Sequence, residues 1–242
     1  MTILRRPIKL LALALTILVG AKSPAQALQF LTEEFPPYNY TKGSEVTGSA
    51  TAVVRALAAN LGEPVSFQVL PWLRAMEETA AGPNKMLFVG ARTPEREHRF
   101  KWIGPILKTD MILLGHKGPE IPFLKALDTA NILVQAQGPC HERLLQLRAR
   151  NIETAMDELT NARKFLGGRS PLWCGGPDVL AAMLERTGSR IENFDTKFTI
   201  GTIEGYILAS PDIPDGVIAR WQGALDKMVA SGKLATIYPQ SR

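Results

Sequence analysis

The chain has 242 residues, of which 45% are hydrophobic and 21% charged, and its mean hydropathy is near zero, which excludes a disordered or fibrous protein. Its formal charge of +5 at pH 7 comes from 28 Lys and Arg against 23 Asp and Glu. Basic residues form no long run and do not alternate with aromatic ones, which argues against a nucleic-acid partner.

Residues 1–27 have the pattern of a cleaved secretory signal. Arg5, Arg6 and Lys9 precede an apolar run at residues 10–20, and Ala-Gln-Ala at residues 25–27 is a typical cleavage site. The alternative is a membrane anchor, but about 11 apolar residues span only about 16 Å as a helix, roughly half of a bilayer core. Removing this segment leaves a net charge of +1. No Cys lies directly after the cleavage point, so the sequence predicts a soluble periplasmic protein without a lipid anchor.

The mature chain then alternates predicted strands and helices. The helix over Ser49–Leu61 illustrates the pattern, because its apolar side chains recur on one face and Gly62 follows as a C-terminal cap. The predicted strands are residues 28–32, 65–70, 85–90, 111–114, 132–135, 172–174 and 206–209. The predicted helices are residues 49–61, 72–81, 139–150, 156–165, 177–187 and 213–231, the last burying Val217, Trp221, Leu225, Met228 and Val229. This alternation favours mostly parallel sheets covered by helices, in two lobes that face each other across a cleft.

The chain has two cysteines, Cys140 and Cys174. A secreted protein enters an oxidising compartment, so a disulfide between them is the prediction. Two buried thiols, or one reactive thiol, are the alternatives.

Four patches carry a family resemblance. They are Phe-Pro-Pro-Tyr at 35–38, Pro-Trp-Leu-Arg-Ala at 71–75, Thr-Pro-Glu-Arg at 93–96 followed by residues 100–105, and the tail at 228–234. In their order and spacing the chain resembles the family-3 extracellular solute-binding proteins, which include the polar-amino-acid receptors of bacterial ABC importers.

The resemblance implies an α/β fold, the type II periplasmic-binding-protein fold, with two mixed or parallel-sheet lobes joined by a two-strand hinge. Lobe 1 is expected at residues 28–108 plus 200–242, and lobe 2 at residues 109–199. The chain is expected to cross between them near Lys108 and Ile200.

The resemblance also implies a ligand site. Arg96 stands where the family grips a ligand carboxylate, and a guanidinium offers two parallel donors to that group. The alternative is a surface arginine paired with Glu95 or Glu97. Phe35 is expected to cover the ligand, with Tyr38 beside it, although a Phe is as often a core residue. Trp72 is expected either to line the cleft or to close the core of lobe 1. Arg92 is interpreted as structural.

In lobe 2 the resemblance assigns the ligand's carboxylate to the turn and helix start at Gly138 and Cys140. Pro139, which lacks an N–H, removes one donor there. The family's acidic residue for an α-ammonium is absent, because residues 168–176 contain no carboxylate and Asp178 comes two residues late. Glu33, Glu34 and Glu204 are the candidate replacements, and Glu34 is included among the predicted ligand residues.

The sequence contains no evident catalytic nucleophile. His98, His116 and His141 show no metal-ligand spacing, and no nucleotide-binding glycine loop is present, so no metal or cofactor is predicted. The function predicted is a monomeric receptor for a small polar, carboxylate-bearing solute such as an amino acid, with the membrane permease of an ABC importer as its partner. The alternatives are a dehydratase-like periplasmic enzyme acting on a cyclic carboxylic acid, and a sensory or docking module.

Overall fold

The computed structural model describes residues 27–237, so the predicted signal lies outside the described residues except for Ala27. The strands are β1 (Leu28–Thr32), β2 (Tyr40–Lys42), β3 (Glu45–Thr47), β4 (Val65–Val69), β5 (Lys85–Ala91), β6 (Lys101–His116), β7 (Ile132–Gln135), β8 (Ile152–Ala155), β9 (Leu172–Gly175) and β10 (Phe194–Ala209). The helices are α1 (Ser49–Leu61), α2 (Trp72–Ala80), α3 (Phe123–Thr129), α4 (Pro139–Gln146), α5 (Glu158–Leu166), α6 (Pro177–Arg186), α7 (Asp215–Ala230) and α8 (Lys233–Ile237).

One eight-stranded sheet connects both lobes, in the order β4-β1-β5-β10-β6-β9-β7-β8. In lobe 1, β1 pairs in parallel with β4 and β5, and in lobe 2, β7 pairs in parallel with β8 and β9. The antiparallel pair β6 and β10 lies between them. The predicted α/β fold with a two-strand hinge is therefore confirmed, with the sheets of the two lobes continuous through that hinge.

The hinge strands are much longer than the sequence pattern predicted. Only residues 111–114 and 206–209 were expected as strands, whereas β6 and β10 have 16 residues each. Gly104, Pro105 and Gly201 resemble strand breakers, but they lie within β6 and β10, at places where the register of β10 on β6 shifts. Such irregularities let glycines remain within a paired strand. The predicted crossings at Lys108 and Ile200 fall within these two strands.

Lobe 2 contains the other differences from the predicted elements. The helix expected at 139–150 ends at Gln146, and Arg148 adopts a left-handed φ of 60° before the chain enters β8, a strand that was not predicted. The helix expected from residue 156 begins at Glu158 because the Asp157 side chain caps it, accepting a hydrogen bond of 2.7 Å from the backbone N–H of Thr160.

Three smaller elements and one burial assignment also differ from expectation. The hairpin of β2 and β3 and the helices α3 and α8 were not predicted. In α7 the predicted buried face includes Trp221, Leu225 and Met228, but Val229 is 53% exposed, so its assignment to that face was wrong.

Helices cover both faces of the sheet in lobe 1. On one face Phe30 packs against Trp221 of α7, with ring centroids 5.2 Å apart. On the other face Leu31, Leu87 and Met76 form a second buried cluster under α2. This packing fixes the end of β1, which leads to Phe35 and Tyr38, and the start of α2, where Trp72 lies.

Candidate functional site

A small cavity lies at the contact between the two lobes. Phe35, Tyr38 and Trp72 line it from lobe 1, and Gln135 and Gly176 line it from lobe 2. Its volume is about 40 Å³, little more than the share of one water molecule in the liquid. The lobes are therefore closed on each other, and a solute of amino-acid size can enter only when they separate. We call this space the central cavity.

Arg96 is 4% exposed and holds the two lobes together. Its Nη1 donates to the carbonyl of Ala91 at 3.0 Å, within lobe 1. Its Nη2 donates to two groups of lobe 2, the carbonyl of Gln137 at 2.5 Å and Oε1 of Glu142 at 2.6 Å. The alternative partners Glu95 and Glu97 do not take this role, because the partner is a carboxylate 46 residues away.

The aromatic residues predicted for the site also reach lobe 2. The Tyr38 hydroxyl lies 3.1 Å from Oδ2 of Asp178, and the indole N–H of Trp72 donates to the Gln137 carbonyl at 3.4 Å. The Trp72 ring lies 5.5 Å from the Arg96 guanidinium carbon. Trp72 is 4% exposed and belongs to a core cluster of lobe 1. It therefore lies both in that core and in the lining of the central cavity. Phe35 lines the central cavity, with its ring 5.8 Å from that of Tyr38.

Two residues beside the site adopt strained backbone conformations. Val89, which lines the central cavity, has a φ of 66°, and Gln137 has a φ of 54°. Left-handed conformations are costly for residues with a side chain, most of all for a β-branched one. The turn at Gln137 points one carbonyl at both Trp72 and Arg96, which gives its strain a structural role.

The predicted disulfide between Cys140 and Cys174 is present. The S–S distance is 2.07 Å and the Cα atoms are 5.9 Å apart, so the bond joins the first turn of α4 to β9. Gly138 precedes that turn, and a Cβ there would approach the Gln135 carbonyl to 3.2 Å. Gly138 and Cys140 line a second cavity of about 30 Å³ next to the central one.

Glu33, Glu34 and Glu204, the candidates to replace the family's acidic residue, lie in three different places. Glu33 lines the central cavity and accepts a hydrogen bond of 2.5 Å from the Gln135 side chain. Glu34, 38% exposed, faces away from that cavity, accepts from the N–H of Thr41 at 2.9 Å and lies 3.6 Å from Arg186. Glu204 accepts from Tyr206 and lies 3.6 Å from Lys108 at the hinge. Only Glu33 is placed for a solute in the central cavity.

A fully buried carboxyl, that of Glu158, lies next to the partly buried Glu33. Glu158, at the start of α5, is 5% exposed and accepts hydrogen bonds from the indole of Trp173 at 2.8 Å and from Asn161 at 2.9 Å. Burial raises the pKa of Glu33 to about 8 and the pKa of Glu158 to about 7, and the Glu158 charge adds to the rise at Glu33. Among the described residues, no basic side chain is paired with either carboxyl in a salt bridge.

Sequence reasoning did not identify Gln135, Glu142 and Glu158 as members of this region. Gln135 ends the predicted strand that precedes the glycine turn, and Glu142 lies in the first turn of the predicted helix. Both positions could have been read as facing the cleft from the strand–turn–helix pattern alone. Glu158 carries no such signal, because the predicted helix was placed to begin two residues before it.

Two larger cavities adjoin the central one. One, of about 410 Å³, is lined by Arg92, Glu142 and Arg143, and the other, of about 470 Å³, by Glu34, Asp157 and Arg163. Arg92 pairs with Glu97 through two hydrogen bonds, in keeping with its structural interpretation. A cavity of about 530 Å³, lined by α7, α8 and both hinge strands, includes none of the predicted ligand residues.

Residues 27–237 contain no helix with the length and apolar character of a membrane span. Within the same range, no three His, Cys, Asp or Glu side chains lie close enough together to hold a metal ion.

Comparison with known families decides the classification. The profile of the bacterial extracellular solute-binding proteins, family 3, matches residues 28–240. The chain belongs to this family. Among curated protein sequences, none matches this chain.

Solved structures share the fold of this family 3 protein at low sequence identity. A histidine kinase sensor domain with similarity to periplasmic binding proteins has a TM-score of 0.80 and 14% identity, over 89% of this chain and 95% of that one. An ancestral arginine-binding protein bound to glutamine has a TM-score of 0.76 and 17% identity, over 88% and 96%. An ancestral amino acid-binding protein, a precursor of cyclohexadienyl dehydratase, has a TM-score of 0.75 and 17% identity, over 88% and 94%.

Proposed function

We propose that this family 3 protein is a monomeric periplasmic receptor that captures a small polar, carboxylate-bearing solute between its lobes and presents it to the permease of an ABC importer. An amino acid is the solute class we favour. The proposal includes removal of residues 1–27 and lobe boundaries near Lys108 and Ile200.

One observation carries the proposal. Tyr38, Trp72 and Arg96, all predicted as ligand residues of lobe 1, each contact lobe 2 at or next to the central cavity. Residues that form the closed contact between two lobes are the ones that a solute must meet when it enters the cleft. Their chemistry is that of a small-molecule site, with apolar rings and a few convergent polar groups.

The binding sequence follows from these positions. In the open form Arg96 would be released from lobe 2 and would take the solute carboxylate, while Phe35 and Trp72 would cover the body of the solute. Glu33 would receive an amine, in place of the acid that the family carries in lobe 2. The hinge strands β6 and β10 would bend to close the cleft, and the permease would recognise the closed form.

A thermal-shift screen of the mature protein against amino acids, small organic acids and cyclic carboxylates tests this function. A ligand that binds only the native state raises its stability with the logarithm of concentration over Kd. We expect at least one carboxylate solute to raise Tm in a saturable way, with one solute bound per chain by calorimetry. A panel in which no member raises Tm would contradict a receptor function.

A dehydratase-like enzyme is a second candidate, favoured by Glu33 and Glu158. Burial holds both carboxyl pKa values near neutrality, where a carboxyl can act as a general acid. The fold is shared with the precursor of cyclohexadienyl dehydratase. Incubation of each stabilising solute with the protein, followed by product analysis, separates the two functions, since a receptor returns the solute unchanged.

A further inference from the structure

The contact between Arg96 and Glu142 has a consequence for which solutes can bind. Glu142 approaches from lobe 2 and places Oε1 2.6 Å from Nη2 of Arg96. The arginine is 4% exposed and the glutamate 22%, so solvent screens the pair only in part. A carboxylate of the protein therefore already lies on the guanidinium that the proposed function assigns to the solute.

We infer that Glu142 is an internal competitor that occupies the carboxylate site of Arg96 when the lobes are closed, and so determines which solutes can bind. This inference rests on the proposed function only for the identity of the site. The residue and its contact with Arg96 come from the geometry of the closed lobes.

The charges at Arg96 set the Glu142 carboxylate and a solute carboxylate in competition for one guanidinium. Arg96 carries one positive charge, and within the described residues Glu142 is its salt-bridge partner. A solute carboxylate arriving at the same guanidinium would place two negative groups on one positive group in a buried setting, which is unfavourable. Burial is the main effect on both partners, because it lowers the pKa of Arg96 and raises that of Glu142. Closure around a carboxylate solute is therefore more favourable once Glu142 has left the guanidinium.

The structure provides space for a displaced Glu142. Its side chain lines the cavity of about 410 Å³, which Arg92 and Arg143 also line. That cavity adjoins the central one, since Ala91 and Pro139 line both. Glu142 can thus move from Arg96 into a space with other basic groups without unfolding of α4.

The competition sets a threshold for solutes. A tethered group competes at an effective concentration in the millimolar range or above, so a simple monocarboxylate that binds only through its carboxylate does not displace it. A solute with a second polar group, able to contact Glu33 and Gln135 in the central cavity, gains enough additional binding energy to do so. The site therefore excludes plain monocarboxylates and admits carboxylates that carry a second polar function.

Acetate rescue tests this inference without knowledge of the solute. Glu142→Ala removes the internal carboxylate and leaves Arg96 with space for an acetate ion. Thermal unfolding is measured in about 100 mM sodium acetate and in sodium chloride of equal ionic strength. If acetate is in tenfold excess over Kd, Tm of Glu142→Ala rises by about 3 to 6 °C relative to chloride. The wild type and the double variant Arg96→Ala/Glu142→Ala show no such rise.

Two further variants keep the test decisive. Glu142→Gln preserves the size of the side chain but not its charge, so acetate must raise its Tm more than that of the wild type, even if Glu142→Ala fails to fold. Glu97→Ala is the matched control, because Glu97 also pairs with an arginine, Arg92, but is 40% exposed, and acetate should not affect this variant.

Three results would overturn the inference. They are an equal acetate effect in the wild type, a rise retained in the double variant, and no rise in either Glu142 variant. A failed solute screen with a successful acetate rescue would reject the proposed receptor and keep the internal competitor. A successful solute screen with a failed rescue would do the reverse.

Discussion

The carboxyl of Glu33, which is partly buried, predicts a loss of stability as the pH rises. In the unfolded chain a glutamate loses its proton near pH 4.5, whereas in the folded protein Glu33 keeps its proton up to about pH 8 and Glu158 up to about pH 7. Between these values the unfolded state binds fewer protons than the folded state. The free energy of unfolding therefore decreases with rising pH in this window and levels off above pH 8.

The magnitude follows from the number of protons involved. Each group contributes a slope of at most about 1.4 kcal/mol per pH unit, so the pair contributes at most about 3 kcal/mol per unit between pH 5 and 7. Glu33 keeps part of its surface exposed, which reduces its share. We expect a loss of at least about 1 kcal/mol between pH 5.5 and 7.5.

Glu33→Gln isolates the contribution of Glu33. The amide keeps the size of the side chain and can still accept the hydrogen bond from Gln135, but it does not titrate. Urea unfolding of the wild type and this variant from pH 5 to 8.5 should give a flatter profile for Glu33→Gln, with the variant more stable than the wild type at pH 8. Glu34→Gln is the control, since Glu34 is 38% exposed, and its profile should follow the wild type. Parallel profiles for the wild type and Glu33→Gln would refute the reasoning.

Two other outcomes follow from the closed structure. Reduction of the Cys140–Cys174 bond, which spans 34 residues, should lower the free energy of unfolding by about 3 to 4 kcal/mol in urea titrations. An unchanged unfolding midpoint would contradict the bond. Alkylation of two thiols in the unreduced protein would contradict it as well. Trp72→Phe removes the indole N–H that donates to the Gln137 carbonyl, at a cost of about 1 kcal/mol. The ratio of closed to open molecules should therefore fall about fivefold, and the radius of gyration in solution scattering should rise. A radius equal to that of the wild type would refute the role of Trp72 in holding the lobes closed.

The sequence was most informative where local chemistry decides structure. Helix α1 was predicted to the residue because an apolar face and a capping glycine define both of its ends. The hinge strands were recognised only in part, because Gly104, Pro105 and Gly201 end a strand in local reasoning. Gly201 stays in the ladder through its pairing with Met111, which lies far away in sequence. Gly104 and Pro105 lie in the irregularity between the pairs Ile207–Ile103 and Gly205–Leu107, and these flanking pairs keep the strand continuous.

The site was predictable on one side only. The family resemblance located Phe35, Trp72 and Arg96 in lobe 1, and the structure places all three at the contact between the lobes. The pairing of Arg96 with Glu142 and Gln137 could not be predicted, because these residues meet only through the closure of two separately packed lobes. Sequence patterns report on packing within an element, whereas a contact across a cleft leaves no periodic signal.

The lack of a periodic signal also explains why the sequence did not distinguish between the acidic candidates Glu33, Glu34 and Glu204. Glu33 and Glu34 are adjacent in the loop that follows β1, and Glu34 lies at a bend, so the two side chains take different directions without a strand or helix period to fix them. The structure turns Glu33 to the central cavity and Glu34 to Arg186. No local pattern identified which of the two would face the cleft.

The most direct test of the account is calorimetric titration of a carboxylate solute from the screen into the wild type, Arg96→Ala and Arg99→Ala. Arg99 is the matched control, because it lies three residues further on and pairs with Glu77 on the surface, at 38% exposed. We expect Arg96→Ala to lose about 30-fold or more in affinity, the cost of removing one partner of a buried charge pair, with its fold retained by circular dichroism. Arg99→Ala should bind like the wild type. Unchanged affinity in a folded Arg96→Ala variant would contradict the central claim that this arginine binds the solute.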